Sequence, residues 1–275
     1  MLEPAMAIVG VTLVGGAPRI ERGVRAALAR RIGLKFEAIR ALPPAGAHDQ
    51  RLGPVAGYEL LMLHPGLRRG AGEQWMAWLA ETWSQVLPRE LPETGIILTG
   101  RYGLAINLDT AEILNRRTYA TLQHQLERAH KTDRRTPLTI EWTERAPANR
   151  HQRRGLSDKE ALSLAGKRLA QLMPYIGYIA IDDMACRMRC YTALARLAVL
   201  LEAGVLAERI VLKFDRSILA QPALIAHARG LAEAHAGPCV LEGVESKAGL
   251  AAARAIGVEW VQGFAVNHHE GGSGL

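Results

Sequence analysis

Ile179-Ala180-Ile181-Asp182-Asp183-Met184 is a short apolar run that ends on two carboxylates. An unpaired carboxylate is costly to bury, so one hydrophobic strand closing on acids is a curiosity and a series of them is a site. The chain repeats the pattern on both sides of this run. Upstream stand VAGYELLML with Glu59, LAINLD with Asn107, and LTIEWTE with Glu141 and Glu144. Downstream stand IVLKFD with Lys213 and Asp215, CVLEGVE with Glu242 and Glu245, and WVQGFAV with Gln262. Helical stretches separate most of these runs, which is the βα alternation of a parallel barrel. The carboxyl ends of such strands face one common mouth. The series predicts an α/β fold, a TIM-like (β/α)8 barrel, with a ring of oxygen ligands around a dication.

The whole chain fits that expectation. Its 275 residues suit one large barrel, and a hydrophobic content of 49% fills a core without leaving a disordered protein. Aromatic residues are only 5%, so packing rests on Leu, Ala, Val and Ile. Cys186, Cys190 and Cys239 make no even-numbered framework, which points to a reducing compartment. No apolar stretch reaches the roughly 18 residues of a membrane span, and MAIVGVTLVGG lacks the positive cluster of a signal peptide. A cytoplasmic protein is expected. The formal charge of +7 suits an anionic ligand as well as an arginine-rich background. No recognition-helix, zinc-finger or stacking-aromatic pattern points to a nucleic-acid polymer.

Residues 1–33 read as a short strand and a helix leading into the barrel, with Ile20, Val24, Leu28 and Ile32 at helical spacing before Gly33. Residues 34–275 read as the barrel, in a single compact domain. KFEAIRAL is its first strand, and a Pro/Gly-rich link leads to the strand of Glu59. Glu73 to Val86 is a helix rich in tryptophan. Asp109 with Glu112, and Ser157 with Glu160, are capping boxes that open helices running through Arg128 and to about Met173. Further helices are expected over Tyr191–Ala203, from Gln221-Pro222, and over Ser246–Ile256, with Asp215 as an N-cap.

Mg²⁺ and Mn²⁺ take hard oxygen ligands, and Glu59, Asn107, Glu141 and Asp182 offer such a set from four strands. Strand neighbours point to opposite faces, so Asp183 reaches the mouth only if the strand ends there and Asp183 begins the turn. Glu144 and Glu245 are candidates for orienting loops and ligands around the metals. His268-His269 sits in a polar tail and reads as solvated.

The order E-L-L, N-L, E-x-T-E, D-D, L-K-F-D, E-G-V-E and Q-G-F resembles the EAL domain, a bacterial cyclic di-GMP phosphodiesterase module. The resemblance runs from about Leu34 to Asn267, and E-G-V-E with the later Q-G is its most specific part. It implies an EAL-type barrel that opens cyclic di-GMP to linear pGpG at a two-metal site, with Mg²⁺ or Mn²⁺ as cofactor. It implies that Asp182 and Asp183 help hold the metal pair, with Glu59, Asn107 and Glu141. Lys213 supplies positive charge to the attacking water or the phosphorane. By the same resemblance Glu242 is expected as general base or second-metal ligand, and Gln262 as its water-holding partner.

Three departures qualify that expectation. The family motif E-A-L-L-R ends here in Met62-Leu63, so its phosphate-binding arginine is absent, with Arg68 and Arg69 as stand-ins from the next loop. The glycine- and serine-rich loop after the paired aspartates reads Met184-Ala185-Cys186-Arg187-Met188-Arg189-Cys190, a different path for the segment that positions the second metal and supports dimerisation. Glu37 replaces the first strand's usual glutamine, which weakens guanine contacts, and residues 144–159 form a basic insertion at the mouth. Reduced activity is therefore expected. The alternative is a degenerate EAL domain that senses cyclic di-GMP or grips a protein partner, and a homodimer stays open.

Overall fold

Eight strands pair edge to edge and close on themselves in a computed structural model of the chain. It describes residues 34–43, 52–62, 90–91, 96–97, 102–131, 138–143, 155–185 and 190–263. β1 (Leu34–Ala41) and β2 (Val55–Met62) come first, then β3 (Glu90–Leu91) and β4 (Ile96–Ile97), which pair only with each other. β5 (Gly103–Asp109), β6 (Leu138–Thr143), β7 (Tyr178–Met184), β8 (Ile210–Phe214), β9 (Cys239–Leu241) and β10 (Trp260–Gln262) complete the set. Around the barrel the order is β1-β10-β9-β8-β7-β6-β5-β2.

One strand departs from the all-parallel expectation. β1 runs antiparallel to both β2 and β10. The pairing carries on past the strand ends, Gly53 N donating to Ala41 O at 2.9 Å, so the chain turns back as a hairpin. A parallel return would need a crossover packed on the barrel wall. Reversal of β1 turns its early residues, rather than its late ones, toward the mouth.

Helices follow most of the parallel strands. Asp109 caps α1 (Thr110–Leu114) through the expected box with Glu112. The helix expected through Arg128 is in fact broken. Asn115 leaves the helical region with ψ 115° and its side chain accepts from Arg117 N and Thr118 N, restarting the chain as α2 (Arg116–Lys131). Ser157 and Glu160 form the second capping box, at the head of α3 (Asp158–Leu172). α4 (Cys190–Glu202), α5 (Pro222–Ala234) and α6 (Lys247–Ile256) follow β7, β8 and β9, and Asp215 caps a 3₁₀ turn over Arg216–Ala220. Among the described residues, no helix is long and apolar enough to cross a membrane.

Strand alternation sorts the core into two parts. Leu104, Ile106, Leu138, Ile140, Ile179, Ile181, Leu212 and Leu241 pack outward with Leu169, Leu200 and Ala253 of the helices. Ile39, Ala105, Tyr178, Ala180, Val211, Val240 and Trp260 pack with Tyr102 inside the barrel. Tyr102, Tyr178 and Trp260 stack and meet edge-on, with centroids 5.4–6.4 Å apart, and plug the interior. The expected strand and helix of residues 1–33, the helix of 73–86, Arg68, Arg69, Glu144 and His268-His269 lie outside the described residues.

Candidate active site

The inner face of most strands changes from apolar to polar within two residues, and on β6 the inner Thr139 is itself polar. Ala105 is followed by Asn107, Thr139 by Glu141, Ala180 by Asp182, Val211 by Lys213, Val240 by Glu242 and Trp260 by Gln262. A strand repeats its facing every second residue, so these polar side chains occupy the next layer toward the mouth. On the reversed β1 the order inverts, and Glu37 precedes the inner Ile39.

Lys213 is the centre of that layer. Its side chain is wholly buried, and Nζ lies 2.5 Å from Glu141 Oε1, 2.6 Å from Glu242 Oε1 and 3.1 Å from Glu59 Oε2. Glu59 is tied further, accepting from Asn107 Nδ2 at 2.6 Å and from Gln262 Nε2 at 2.7 Å. The same Gln262 amide donates to Glu37 Oε2 at 3.0 Å. One oxygen from each of Glu59, Glu141 and Glu242 falls within 4.8 Å of the other two.

These charges do not balance. With all three carboxyls ionised, one ammonium would leave two negative charges in a buried site. Burial, and then the Glu59 charge, push the Glu141 carboxyl up to about 8 in spite of Lys213. Burial likewise holds Glu242 well above the usual carboxylate range, with Asp182 adding to the effect. For Glu59 burial raises the carboxyl, but Lys213 and the bonds from Gln262 and Asn107 outweigh it and hold it low. For Lys213 burial favours the neutral amine, and Glu141, Glu242 and Glu59 together overcome it, so the ammonium persists.

Unused oxygens mark the same place. Asn107 Oδ1, Glu141 Oε2 and Gln262 Oε1 are buried and carry no hydrogen bond among the described residues. Each unsatisfied buried acceptor costs about 1–3 kcal/mol. Amide and carboxylate oxygens with surplus negative charge are the donor set of a hard dication, and the residues present fit one.

Asp182 and Asp183 lie outside the Glu59–Glu141–Glu242 cluster, and their strand does not end where expected. β7 continues to Met184, and its pairing with β8 slips between Ile181 and Met184, so two residues oppose Lys213 where one would be regular. Asp183 takes φ 62° and Ala185 φ 59°, left-handed values that cost roughly 1–3 kcal/mol in a non-glycine residue. Asp182 Oδ1 accepts from Asp183 N at 2.8 Å. Asp182 thus acts on Glu141 and Glu242 through its charge.

Two glycines of the quoted motifs have steric reasons. Gly243 turns the chain after Glu242 at φ +65°, and a Cβ there would lie 2.8 Å from the Arg216 side chain. Gly263 follows Gln262, where a Cβ would come within 2.4 Å of Val244 N. Glu245 lies exposed and bonds Arg216, joining the turns after β8 and β9. Sequence reading passed over Tyr102 and Arg196. The Tyr102 hydroxyl is buried beneath the acids without a hydrogen bond, and burial raises it well above its ordinary value, with Lys213 opposing and Glu141 adding. Arg196 is buried on α4 among Ala193 and Leu200, and a lone arginine on that apolar stripe was its available signal.

No family model and no curated protein matches this sequence. Solved structures do match. The c-di-GMP complex of the phosphodiesterase PaMucR shares 21% identity at a TM-score of 0.55, covering 91% of this chain and 97% of that one. The Bacillus subtilis YkuI protein, with an EAL domain and in complex with c-di-GMP and calcium, shares 19% at 0.56, covering 84% of this chain and 53% of that one. The FimX EAL domain from Pseudomonas aeruginosa bound to c-di-GMP shares 19% at 0.52, covering 90% and 94%. At these identities the likeness is one of fold, and the fold of this chain is that of the EAL domain.

Proposed function

We propose that this barrel binds cyclic di-GMP and hydrolyses one of its phosphodiester bonds to give linear pGpG, with Mg²⁺ or Mn²⁺ as cofactor. One observation carries the reading: Lys213 sits among Glu59, Glu141 and Glu242 in a site with more buried carboxyls than its one ammonium can neutralise, two of them held protonated by burial, and with three unused oxygens. A dication answers both. Fold neighbours described as c-di-GMP complexes, one of them also with calcium, support the substrate class.

Glu59, Asn107, Glu141 and Asp182 would hold the first cation, and Asp183 would contribute to a second. Such ions supply Lewis acidity that makes water a nucleophile and charge that stabilises a phosphorane. The chain's own groups do the rest. Glu242, in its ionised form, takes the proton of the attacking water, and Gln262 orients that water. Lys213 bridges the three carboxylates and offers its charge as the phosphorane forms. The new P–O bond forms from water as the P–O bond to a ribose oxygen breaks, and the released proton ends on that oxygen. Glu245 and, beyond the described residues, Glu144 keep loops in orientation, and Arg68 or Arg69 meet a substrate phosphate.

With this reading goes a cytoplasmic protein, since three cysteines form no paired framework. Incubation with cyclic di-GMP and Mg²⁺ or Mn²⁺, followed by chromatography, tests it. The expected product is pGpG, lost in EDTA. Tight binding with no product under either ion would favour a sensor, and neither binding nor product would end both readings.

A further inference from the structure

The paired aspartates sit on a bulge that nothing in their own sequence makes easy. Neither Asp183 nor Ala185 is glycine, yet both are left-handed. The support comes from α4. Arg196 is fully buried, and its guanidinium donates to Asp182 O at 3.0 Å through Nη2, to Trp142 O through Nη1, and to Thr192 O at 3.4 Å through Nε. Trp142 follows Glu141 on β6, and Asp182 stands on β7, both residues proposed above as ligands. One fork therefore grips the backbone of two adjacent strands at the level of the site.

The geometry is specific to arginine. In β6–β7 pairing, Trp142 lies opposite Ile181, the last regular partner before the slip. Beyond it the Asp182 carbonyl turns toward α4, and Arg196 supplies its donor. A planar fork spans two carbonyls on separate strands, while a lysine ammonium on a flexible stem does not fix both. We propose that Arg196 is a positioning residue: by holding the carbonyls of Trp142 and Asp182, it sets the bulge that aims Asp182 and Asp183 at the mouth, in place of a glycine-rich loop. This rests on the reading of the mouth as a cation site.

Arg209 provides an internal control. It donates to the carbonyls of Met173, Ile176 and Gly177, just ahead of β7 and at the opposite end of that strand. Loss of either arginine removes carbonyl donors, but only Arg196 touches the ligand segment.

The test compares Arg196→Met, Arg196→Lys and Arg209→Met in the full chain. Mn²⁺ affinity is read by electron paramagnetic resonance of the free ion, and amide exchange of residues 178–185 is read in EDTA. Arg196→Met should weaken Mn²⁺ about 10- to 100-fold, the range for lost orienting groups, and speed exchange at Asp183 and Met184. Arg196→Lys should fall between it and the wild type, and serves if the methionine variant does not fold. Arg209→Met should lower the melting temperature with Mn²⁺ affinity unchanged within about twofold, since it touches no ligand. A folded Arg196 variant with wild-type Mn²⁺ affinity and exchange would overturn the inference. If the wild type binds no Mn²⁺, the cation reading fails separately, and exchange alone decides: unchanged rates at Asp183 overturn the role of Arg196, faster rates uphold it.

Discussion

Glu37 and Gln262 lie 225 residues apart in the chain and 3.0 Å apart in the barrel, the Gln262 amide donating to the Glu37 carboxylate. The reversed β1 brings them together where it closes against β10. The amide that meets Glu37 also meets Glu59, so Glu37 adds a further carboxylate at the edge of the site, against the anionic substrate proposed for it.

Glu37→Gln should therefore tighten cyclic di-GMP binding. Removing one negative charge near the mouth is worth about 1 kcal/mol at short range in a polar setting, roughly fivefold in affinity. Calorimetry at low and high salt measures it, and the gain should shrink as salt screens it. Equal affinity for both proteins at low salt would exclude electrostatic repulsion by Glu37.

Lys213→Met should be among the most damaging single changes in the barrel. It leaves Glu59, Glu141 and Glu242 buried around an apolar tip, and stranding a buried charge costs about 3–5 kcal/mol. Turnover should fall by roughly 10²–10³, and Glu59→Ala should abolish it by removing a ligand. Denaturation curves in EDTA and Mg²⁺ separate the effects: the stability lost by Lys213→Met should be partly restored by the cation.

Proton and cation should compete at Glu141. Its carboxyl is raised from an ordinary 4.5 to about 8, so its protonation favours the fold most fully below 4.5. That contribution declines as pH rises and is gone above about 8. In EDTA the melting temperature should drop across this window. Mn²⁺ affinity should move the opposite way, rising from pH 6 to pH 8 by up to about tenfold per unit as the proton leaves. Affinity that is flat over this range would remove Glu141 from the ligands.

Calcium should separate binding from turnover. Its longer bonds and looser geometry suit the same oxygens without the near-octahedral order that Mg²⁺ imposes. Nucleotide binding is expected in Ca²⁺, with pGpG formed only in Mg²⁺ or Mn²⁺. Equal product in Ca²⁺ and Mg²⁺, followed by chromatography, would rule the mechanism out.

Cys239 should resist alkylation in the folded protein. Its thiol is buried in β9, and burial, with the Glu259 charge, raises it far above its ordinary value. Peptide mapping after iodoacetamide at pH 8 should find it modified only in denaturant.

Period-two alternation is a local property, and it made the inner residues of β5 through β10 legible in the sequence. Asn107, Glu141, Asp182, Lys213, Glu242 and Gln262 each follow an inner residue by two, and no knowledge of neighbours is needed to see it. The capping boxes at Asp109 and Ser157 were legible for the same reason, because donor and acceptor lie three residues apart. Pairing is not local. Only closure of the barrel decided that β1 runs backward and delivers Glu37, and that Lys213 is shared by acids from β2, β6 and the turn after β9. The slip between β7 and β8 likewise depends on two strands and a helix, so Asp183 joined the strand instead of ending it. Arg196 stands on an apolar stripe, and its role depends on the carbonyls of Trp142 and Asp182, which only the tertiary structure brings to it. Short-range pattern sets which residues can face inward, while register and long-range contact set which of them meet.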